Sequence, residues 1–503
     1  MEILQQLGLG LSIALTPENL GYAFLGALIG TVIGILPGIG PAAGIALLLP
    51  VTFGMPPVSA LIMLAGIYYG SMYGGTLTSV LINTPGESAS VMTTLDGYQL
   101  AMQGRAGAAL GIAAIGSFIA GSLGVVALML VAPPLADLAV LFGPTEYFAL
   151  AVLGLITLSG MSDTSVRKAL IMAVAGLALS TVGLDPIRGE RRFTFGILEL
   201  SDGVEFLPVA VGLFGIAEVF TNIAKPMRLD PIRAQLSGLI PTWHDWVVSR
   251  GAILRGGLIG FVVGVLPGAG ATIASFIAYG VEKRVSRHPE RFGHGAIEGV
   301  AAPESANNAA TAGSMVPLLT LGIPGSATTA VLLGAFILYG IRPGPLLLSD
   351  RPDIFWGLVA SMYVGNIMLL VLNLPGAPLF ASVLRLPYPA IAAGIIGISL
   401  AGTYSLQNNL FDVWVALLFG VLGFAMKRFD YPAAPLVLGL VLGPLLEISL
   451  RQALTISHGS LAIFATRPTT AALLTLALVV VLGPVLYGRF RRHRSPAKKE
   501  HTS

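Results

Sequence analysis

The chain contains no cysteine, which excludes disulfide scaffolds, iron–sulfur clusters, thiolate zinc sites and cysteine nucleophiles. It is also poor in charge. Asp, Glu, Lys and Arg make up 11% of its 503 residues, against 55% in the hydrophobic set. Soluble domains carry about 25% charged residues, so a water-facing surface for a chain of this length cannot be assembled from this set. It reads as a membrane protein. The six histidines, His244, His288, His294, His458, His493 and His501, form no tight ligand cluster and no H-E-x-x-H occurs, so no metal site and no cofactor are expected. A Walker A loop is absent as well. Energy for any transport must then come from an ion gradient or a separate subunit. The formal charge of +3 points to topology rather than nucleic acid, because membrane proteins concentrate Lys and Arg in cytoplasmic loops. The N-terminal Met-Glu lacks a basic region, so the first apolar segment is expected to stay attached.

At about 20 apolar residues per crossing, the length allows about 10 to 14 crossings. Apolar stretches run over 20–51, 58–82, 106–132, 138–160, 167–184 and 204–224, then 256–281, 306–321, 327–339, 354–373, 388–405, 410–426, 432–448 and 470–488. The polar region 225–255, with Lys225, Arg228, Arg233, Arg250 and Arg255, separates 1–224 from 256–488 as a cytoplasmic linker between two helix bundles. The basic tail 489–503 carries six Lys or Arg, which places the C-terminus in the cytoplasm. The expected fold is all-α: about 11 to 12 transmembrane helices in two repeats.

The repeat is explicit. Residues 30–40, GTVIGILPGIG, match 260–270, GFVVGVLPGAG, with identity at Gly30, Val32, Gly34, Leu36, Pro37, Gly38 and Gly40. A second Pro-Gly follows each copy, in NTPGES at Pro85 and Gly86 and in GIPGSATT at Pro324 and Gly325. Proline removes a backbone donor and glycine opens conformations closed to other residues, so Leu-Pro-Gly-x-Gly should break a helix. The freed backbone groups cannot face lipid, where each costs several kcal/mol. Matched Gly/Pro interruptions in two halves point to a transporter binding site. The plainer reading is that these glycines only let helices pack closely.

Basic residues flank the second copy on both sides: Arg250 and Arg255 before it, Lys283, Arg284, Arg287 and Arg291 after it. If both flanks lie in the cytoplasm, Gly256–Leu266 and Ala271–Val281 are two half-helices, each about 16 Å long, of a re-entrant hairpin tipped by LPGAG. The repeat carries that hairpin to the first copy. A half-helix starting after such a tip presents orphan amides and a positive dipole end, suited to a carboxylate. The candidate substrate-binding residues are therefore Pro37, Gly38, Gly40, Asn83, Thr84, Pro85, Gly86, Pro267, Gly268, Gly270, Pro324, Gly325 and Ser326. Ser88, Ser90, Thr328 and Thr329 are short polar neighbours that cap broken helices or bind a carboxylate. Glu304, Ser305, Asn307 and Asn308 stand just ahead of an apolar run, where polar groups are costly and tend to be functional; they are the candidate ion-coupling set. Glu87, Asp96, Glu146 and Glu218 are weaker candidates that helix ends explain.

The strings LTPENL, GILPGIGP, APESANNAA, LLTLGIPGSATTAVLLGA and GIRPGP resemble the large membrane subunit of the tripartite tricarboxylate transporters, over roughly Leu15 to Arg467. The resemblance implies a multi-pass permease of the bacterial inner membrane that works with a small membrane subunit of about four helices and a periplasmic solute-binding protein. It further implies import of citrate-like di- or tricarboxylates driven by Na⁺ or H⁺, Na⁺ entering only as a coupling ion, with no catalytic residue. Its motif positions here are Leu36 to Gly40, Asn83 to Glu87, Leu266 to Gly270, Pro303 to Asn308 and Gly322 to Ser326. Two other classes compete. An organic-anion channel or exporter can use the same helix tips, whereas a polytopic membrane enzyme needs a dense set of acids, His or Lys near one face. Only scattered acids occur, and Asp350 and Asp353 beside proline make a poor metal site.

Overall fold

The computed structural model describes residues 2–36, 38–160, 165–185, 188–224, 238–268, 270–383 and 388–480. After α1 (Glu2–Ala14), Thr16 caps α2 (Pro17–Ile35) through its side chain, with Pro17 in the first turn where a missing N–H is harmless. The first LPGxG motif then separates α2 from α3 (Pro41–Leu48), and α4 (Pro57–Ile82) follows. Asn83, in the left-handed conformation at φ 53°, ends α4. Beyond the Pro-Gly come α5 (Val91–Met102) and α6 (Ala106–Val140).

Next are α7 (Pro144–Gly160), α8 (Val166–Ser180) and a small hairpin of β1 (Gly183–Leu184) with β2 (Arg191–Arg192). A π-helical turn at Val211–Ile216 joins α9 (Phe206–Ala210) to α10 (Ala217–Ala224). The second half repeats the first: α11 (Trp243–Val265), the second LPGxG, α12 (Gly270–Val285), α13 (Glu298–Leu321), the left-handed Gly322, the second Pro-Gly, α14 (Ala327–Leu338), the short α15 (Leu347–Asp350) and α16 (Pro352–Val383). The chain closes with α17 (Tyr388–Gln407), α18 (Leu410–Arg428), α19 (Ala433–Ile456) and α20 (Ile463–Thr466). It is an all-α polytopic membrane protein.

Among the described residues, seven helical stretches are long and apolar enough to cross a membrane: Pro17–Ile35, Ala106–Val140, Phe206–Ala224, Trp243–Val265, Pro352–Phe380, Leu410–Arg428 and Ala433–Ile456. The sequence suggests 11 to 12. The difference arises because several apolar stretches fold as short helices, such as Ala327–Leu338, that stop at Gly/Pro breaks. Conversely, the apolar segment expected to end at Ala132 continues as one helix through Pro133 and Pro134 to Val140.

The expected half-helix Gly256–Leu266 is the C-terminal half of a longer one. α11 starts at Trp243 behind a capping box in which Thr242 and Asp245 satisfy each other's amides, and its 23 residues span about 34 Å. Residues 243–255 of the expected linker thus belong to α11, and 225–237 lie outside the described residues, as does the basic tail 489–503. The hairpin itself is present. Arg255 on α11 and Glu282 on α12 form a two-pronged ion pair, with Nε–Oε2 at 2.9 Å and Nη2–Oε1 at 2.7 Å. These residues lie at similar distances in sequence from the tip, so the bond pins two antiparallel arms at matched height.

Two tightly packed helix pairs carry the repeat. Gly26, Gly30 and Gly34 on α2 lie against the carbonyls of Met63, Ile67 and Ser71 on α4, and a Cβ at any of the three would overlap them. Gly256, Gly260 and Gly264 on α11 meet Ala302, Ala306 and Ala310 on α13 in the same way. Every residue of the second set is displaced by 230 or 239 positions from its counterpart in the first. Inside a membrane, helices do not associate through the hydrophobic effect, so small-residue faces that bring backbones together supply the van der Waals contact.

The halves also exchange helices. α6 packs on α11 and α13 of the second half, and α16 packs on α2 and α4 of the first. As a result α4 and α13 are buried along nearly their whole length. That is why α13 can carry Glu304, Asn307 and Asn308 without exposing them to lipid.

Replacing Gly34 or Gly264 by Leu should separate α2 from α4, or α11 from α13. Overpacked cores lose about 1–3 kcal/mol, so the melting midpoint of the purified protein in detergent should fall for each variant, while Gly21→Leu, which meets open space, should leave it unchanged.

Candidate functional site

Each LPGxG tip breaks its helix in the same way. The amides of Leu36 and Leu266 fold back onto the carbonyls of Ile33 and Val263, and both leucines are extended, with φ −84° and −75°. Gly38 and Gly268 take φ 89° and 86°, a region that L side chains rarely enter. Their amides donate to the Pro-Gly segment of the same repeat: Gly38 N–H to the Gly86 carbonyl at 3.3 Å, and Gly268 N–H to the Gly325 carbonyl at 2.9 Å. The two Pro-Gly motifs of each half are therefore one hydrogen-bonded unit.

A cavity of about 300 Å³ lies between the two units. Its wall contains Gly40, Pro41 and Ala42 from the first tip and Gly270, Ala271 and Thr272 from the second. Glu87, Ser88 and Ala89 follow the first Pro-Gly, while Ser326, Ala327 and Thr328 follow the second. These are equivalent positions in the repeat, related by offsets of 230 and 239. Tyr68 and Met72 of α4, Leu158 of α7, and Pro432, Ala434 and Pro435 around the start of α19 complete much of the wall. Ser88 Oγ and Thr272 Oγ1, 2.8 Å apart, join the two units directly.

Four helices, α3, α12, α14 and α19, begin at this wall, and the turn leading into α5 begins there too. No side chain caps α3. In α14, Ser326 and Thr329 form a capping box, with Thr329 N–H to Ser326 Oγ at 3.2 Å and Ser326 N–H to Thr329 Oγ1 at 2.8 Å. Helix N-termini carry partial positive charge and unpaired amides. Among the described residues lining the cavity there is no Lys, Arg or His, and Glu87 is the sole acid.

Of the sequence candidates, Gly40, Gly268, Gly270 and Ser326 line the cavity. Gly38, Gly86, Pro267, Pro324 and Gly325 build the tips behind it. Asn83 is exposed at the end of α4, and Thr84 bonds the Ile82 carbonyl at 3.2 Å; with Pro85 they lie off the wall. Pro37 lies outside the described residues.

Glu304, Ser305, Asn307 and Asn308 are all buried within α13 and none lines the cavity. Glu304 accepts from Thr76 at 2.6 Å and from Thr93. Asn308 donates to Ser117 at 2.7 Å, and Asn307 reaches Glu87 Oε1 at 3.1 Å. The remaining acids are fastened structurally. Asp96 accepts the amides of Gly293, Gly295 and Ala296 and the Tyr279 hydroxyl. Glu146 binds Arg467 and Thr470, and Glu218 pairs with Lys427 beside Gly38. Among the described residues no group of three His, Cys, Asp or Glu side chains could hold a metal ion.

Tyr68, Leu158 and Thr272 are cavity residues that sequence reasoning misses. Thr272 has a signal: it sits two residues after Gly270, as Ala42 does after Gly40. Tyr68 and Leu158 have none, because they come from helices whose approach to the tips is decided by tertiary packing.

Broken-helix repeats closing around a cavity inside a polytopic helical bundle define the architecture of a membrane transport protein. The comparison with known families makes this specific: the chain belongs to the tripartite tricarboxylate transporter TctA family, whose sequence model matches residues 20–438. It is therefore a component of a tricarboxylate transporter system, a large subunit of the tripartite kind. It is similar to the uncharacterized 52.8 kDa protein in the TAR-I ttuC′ 3′ region of Agrobacterium vitis, 50% identical over 96% of both chains. A protein in the TAR-II ttuC′ 3′ region of the same organism is 51% identical over 44% of this chain and 92% of its own length. No solved structure matches it.

A Cβ at Gly268 would lie 2.6 Å from the Thr157 carbonyl oxygen, and one at Gly38 would lie 2.5 Å from Glu218 Oε1. Gly268→Ala and Gly38→Ala should each lower substrate uptake at least tenfold, the left-handed backbone alone costing roughly 1–2 kcal/mol, while immunoblots show normal membrane insertion.

Proposed function

We propose that this chain is the large permease subunit of a binding-protein-dependent secondary transporter that imports di- or tricarboxylates across the bacterial inner membrane, driven by a Na⁺ or H⁺ gradient. The observation that carries this reading is the cavity wall, where helix N-termini converge and no cationic side chain is present among the described residues. Backbone dipoles can hold an anion without a permanent buried cation, and the hold lapses when the tips move apart. A fixed Arg or Lys would bind more tightly but would need its own counter-charge when the site is empty. Alternating access then follows from movement of one repeat against the other.

The partners in this reading are a small membrane subunit of about four helices and a periplasmic solute-binding protein, as the family's tripartite organisation suggests. The binding protein selects the carboxylate and the permease moves it. The basic tail supports a cytoplasmic C-terminus, and the chain performs no catalysis.

The test is uptake of radiolabelled citrate, succinate and tartrate into vesicles containing all three subunits, with Na⁺ and pH gradients imposed separately. Gradient-driven accumulation of one of these anions is expected, and omitting the binding protein should abolish it; undiminished uptake without the binding protein would overturn the tripartite reading.

A further inference from the structure

We propose that Glu87 couples the co-transported cation to carboxylate binding; the proposal rests on the transport reading above and names the residue through which a gradient acts. Glu87 occupies a distinctive place in the repeat. It stands immediately after the first Pro-Gly, where the second half has Ser326, and both residues line the cavity. The second repeat therefore offers the wall the hydroxyls of Ser326, Thr272 and Thr328, whereas the first offers the Ser88 hydroxyl and a carboxylate.

That asymmetry has an electrostatic consequence. An ionised Glu87 and an anionic guest in the same cavity of about 300 Å³ repel each other strongly, because Glu87 is buried, 6% exposed, and water screens the pair poorly. Helix dipoles that would hold the guest are opposed by the nearby carboxylate. Neutralising Glu87 with one monovalent cation, a proton or Na⁺, removes the opposition. Cation and carboxylate then bind as a linked pair, each raising the affinity for the other by the same factor.

One neighbour of Glu87 carries an unused acceptor. Asn307 Nδ2 donates to Glu87 Oε1 at 3.1 Å, while the same amide's Oδ1 is buried and has no donor. Buried acceptors are ordinarily satisfied. That unpaired acceptor belongs to the same amide whose nitrogen already touches the carboxylate.

The other ionisable groups do not take this role. On α13, Glu304 faces Glu87 electrostatically, but it is off the cavity wall and both its oxygens are held, by Thr76 and Thr93. Its proximity makes a second anion still less favourable. On α4, Tyr68 faces Glu87 and bonds Ser314 at 3.2 Å. On α5, Asp96 is held by three backbone amides and Tyr279 of α12; Glu282, also on α12, is paired with Arg255 at the base of the hairpin.

The experiment uses the complete three-subunit complex in liposomes, with exchange and accumulation of labelled citrate, succinate and tartrate measured while Na⁺ and pH are varied independently. For the anion that wild type exchanges, KM should rise roughly tenfold when the coupling cation is withdrawn, a coupling of ordinary size. Dependence on Na⁺ at fixed pH identifies sodium, and dependence on pH without Na⁺ identifies the proton. In Glu87→Gln, and in Glu87→Ser, which copies the residue accommodated at position 326, exchange should no longer respond to the cation and uphill accumulation should be lost. Glu87→Asp should keep the response. Wild-type cation dependence in either neutral variant would overturn the assignment, as would both neutral variants reaching the membrane without any exchange. Wild-type liposomes that exchange none of the anions would instead overturn the transport reading, and this assignment with it.

Discussion

Backbone polar groups inside a membrane protein must find partners within the protein, and the structure depends on how two helix breaks meet that demand. At each tip the helix stops at Ile35 or Val265, and the amide freed by Gly38 or Gly268 bonds the carbonyl of a second Pro-Gly about 50 residues further on in sequence. The second Pro-Gly would otherwise expose its own carbonyl. Each interruption makes the other tolerable, which is why the sequence carries them as a matched set in both halves. The glycine stripes on α2 and α11 serve the same geometry: they bring α4 and α13 close enough for the Pro-Gly after each helix to reach the tip.

The break leaves helix starts aimed at one place. Because α3, α12, α14 and α19 begin at a common wall, the cavity is polarised by peptide dipoles before any side chain is considered. Side chains then distinguish the halves. Glu87 shares the wall with hydroxyls contributed by the other repeat, and Ser88 and Thr272 clasp across the middle. A site made from two backbone units can change shape when the units separate, which a site made of one rigid helix cannot.

Packing converts the sequence repeat into a single body. α6 and α16 each cross to the opposite half, so α4 and α13 lie in protein on every side, and α13 can keep a carboxylate and two amides in a hydrogen-bonded interior. The acids with no part in the cavity serve as fasteners. Asp96 holds the loop after α12 through three amides, and Arg255 with Glu282 closes the hairpin base.

The low charge and the long apolar stretches were enough to establish a helical membrane protein, because the former cannot cover a soluble surface and the latter are of the length a helix needs to cross a bilayer. The duplicated LPGxG and Pro-Gly strings located both tips and their conformational requirement, since proline and glycine act locally wherever the chain goes. Sequence could not show that the first hairpin arm is a full-length helix, because a capping box at Thr242 extends it through charged residues that read as a linker. Nor could it bring Tyr68 and Leu158 to the wall, or separate Glu87, which faces the cavity, from Glu304, which does not. Those distinctions depend on which side of a helix meets which neighbour, and only the glycine-mediated approach of helices distant in sequence decides that.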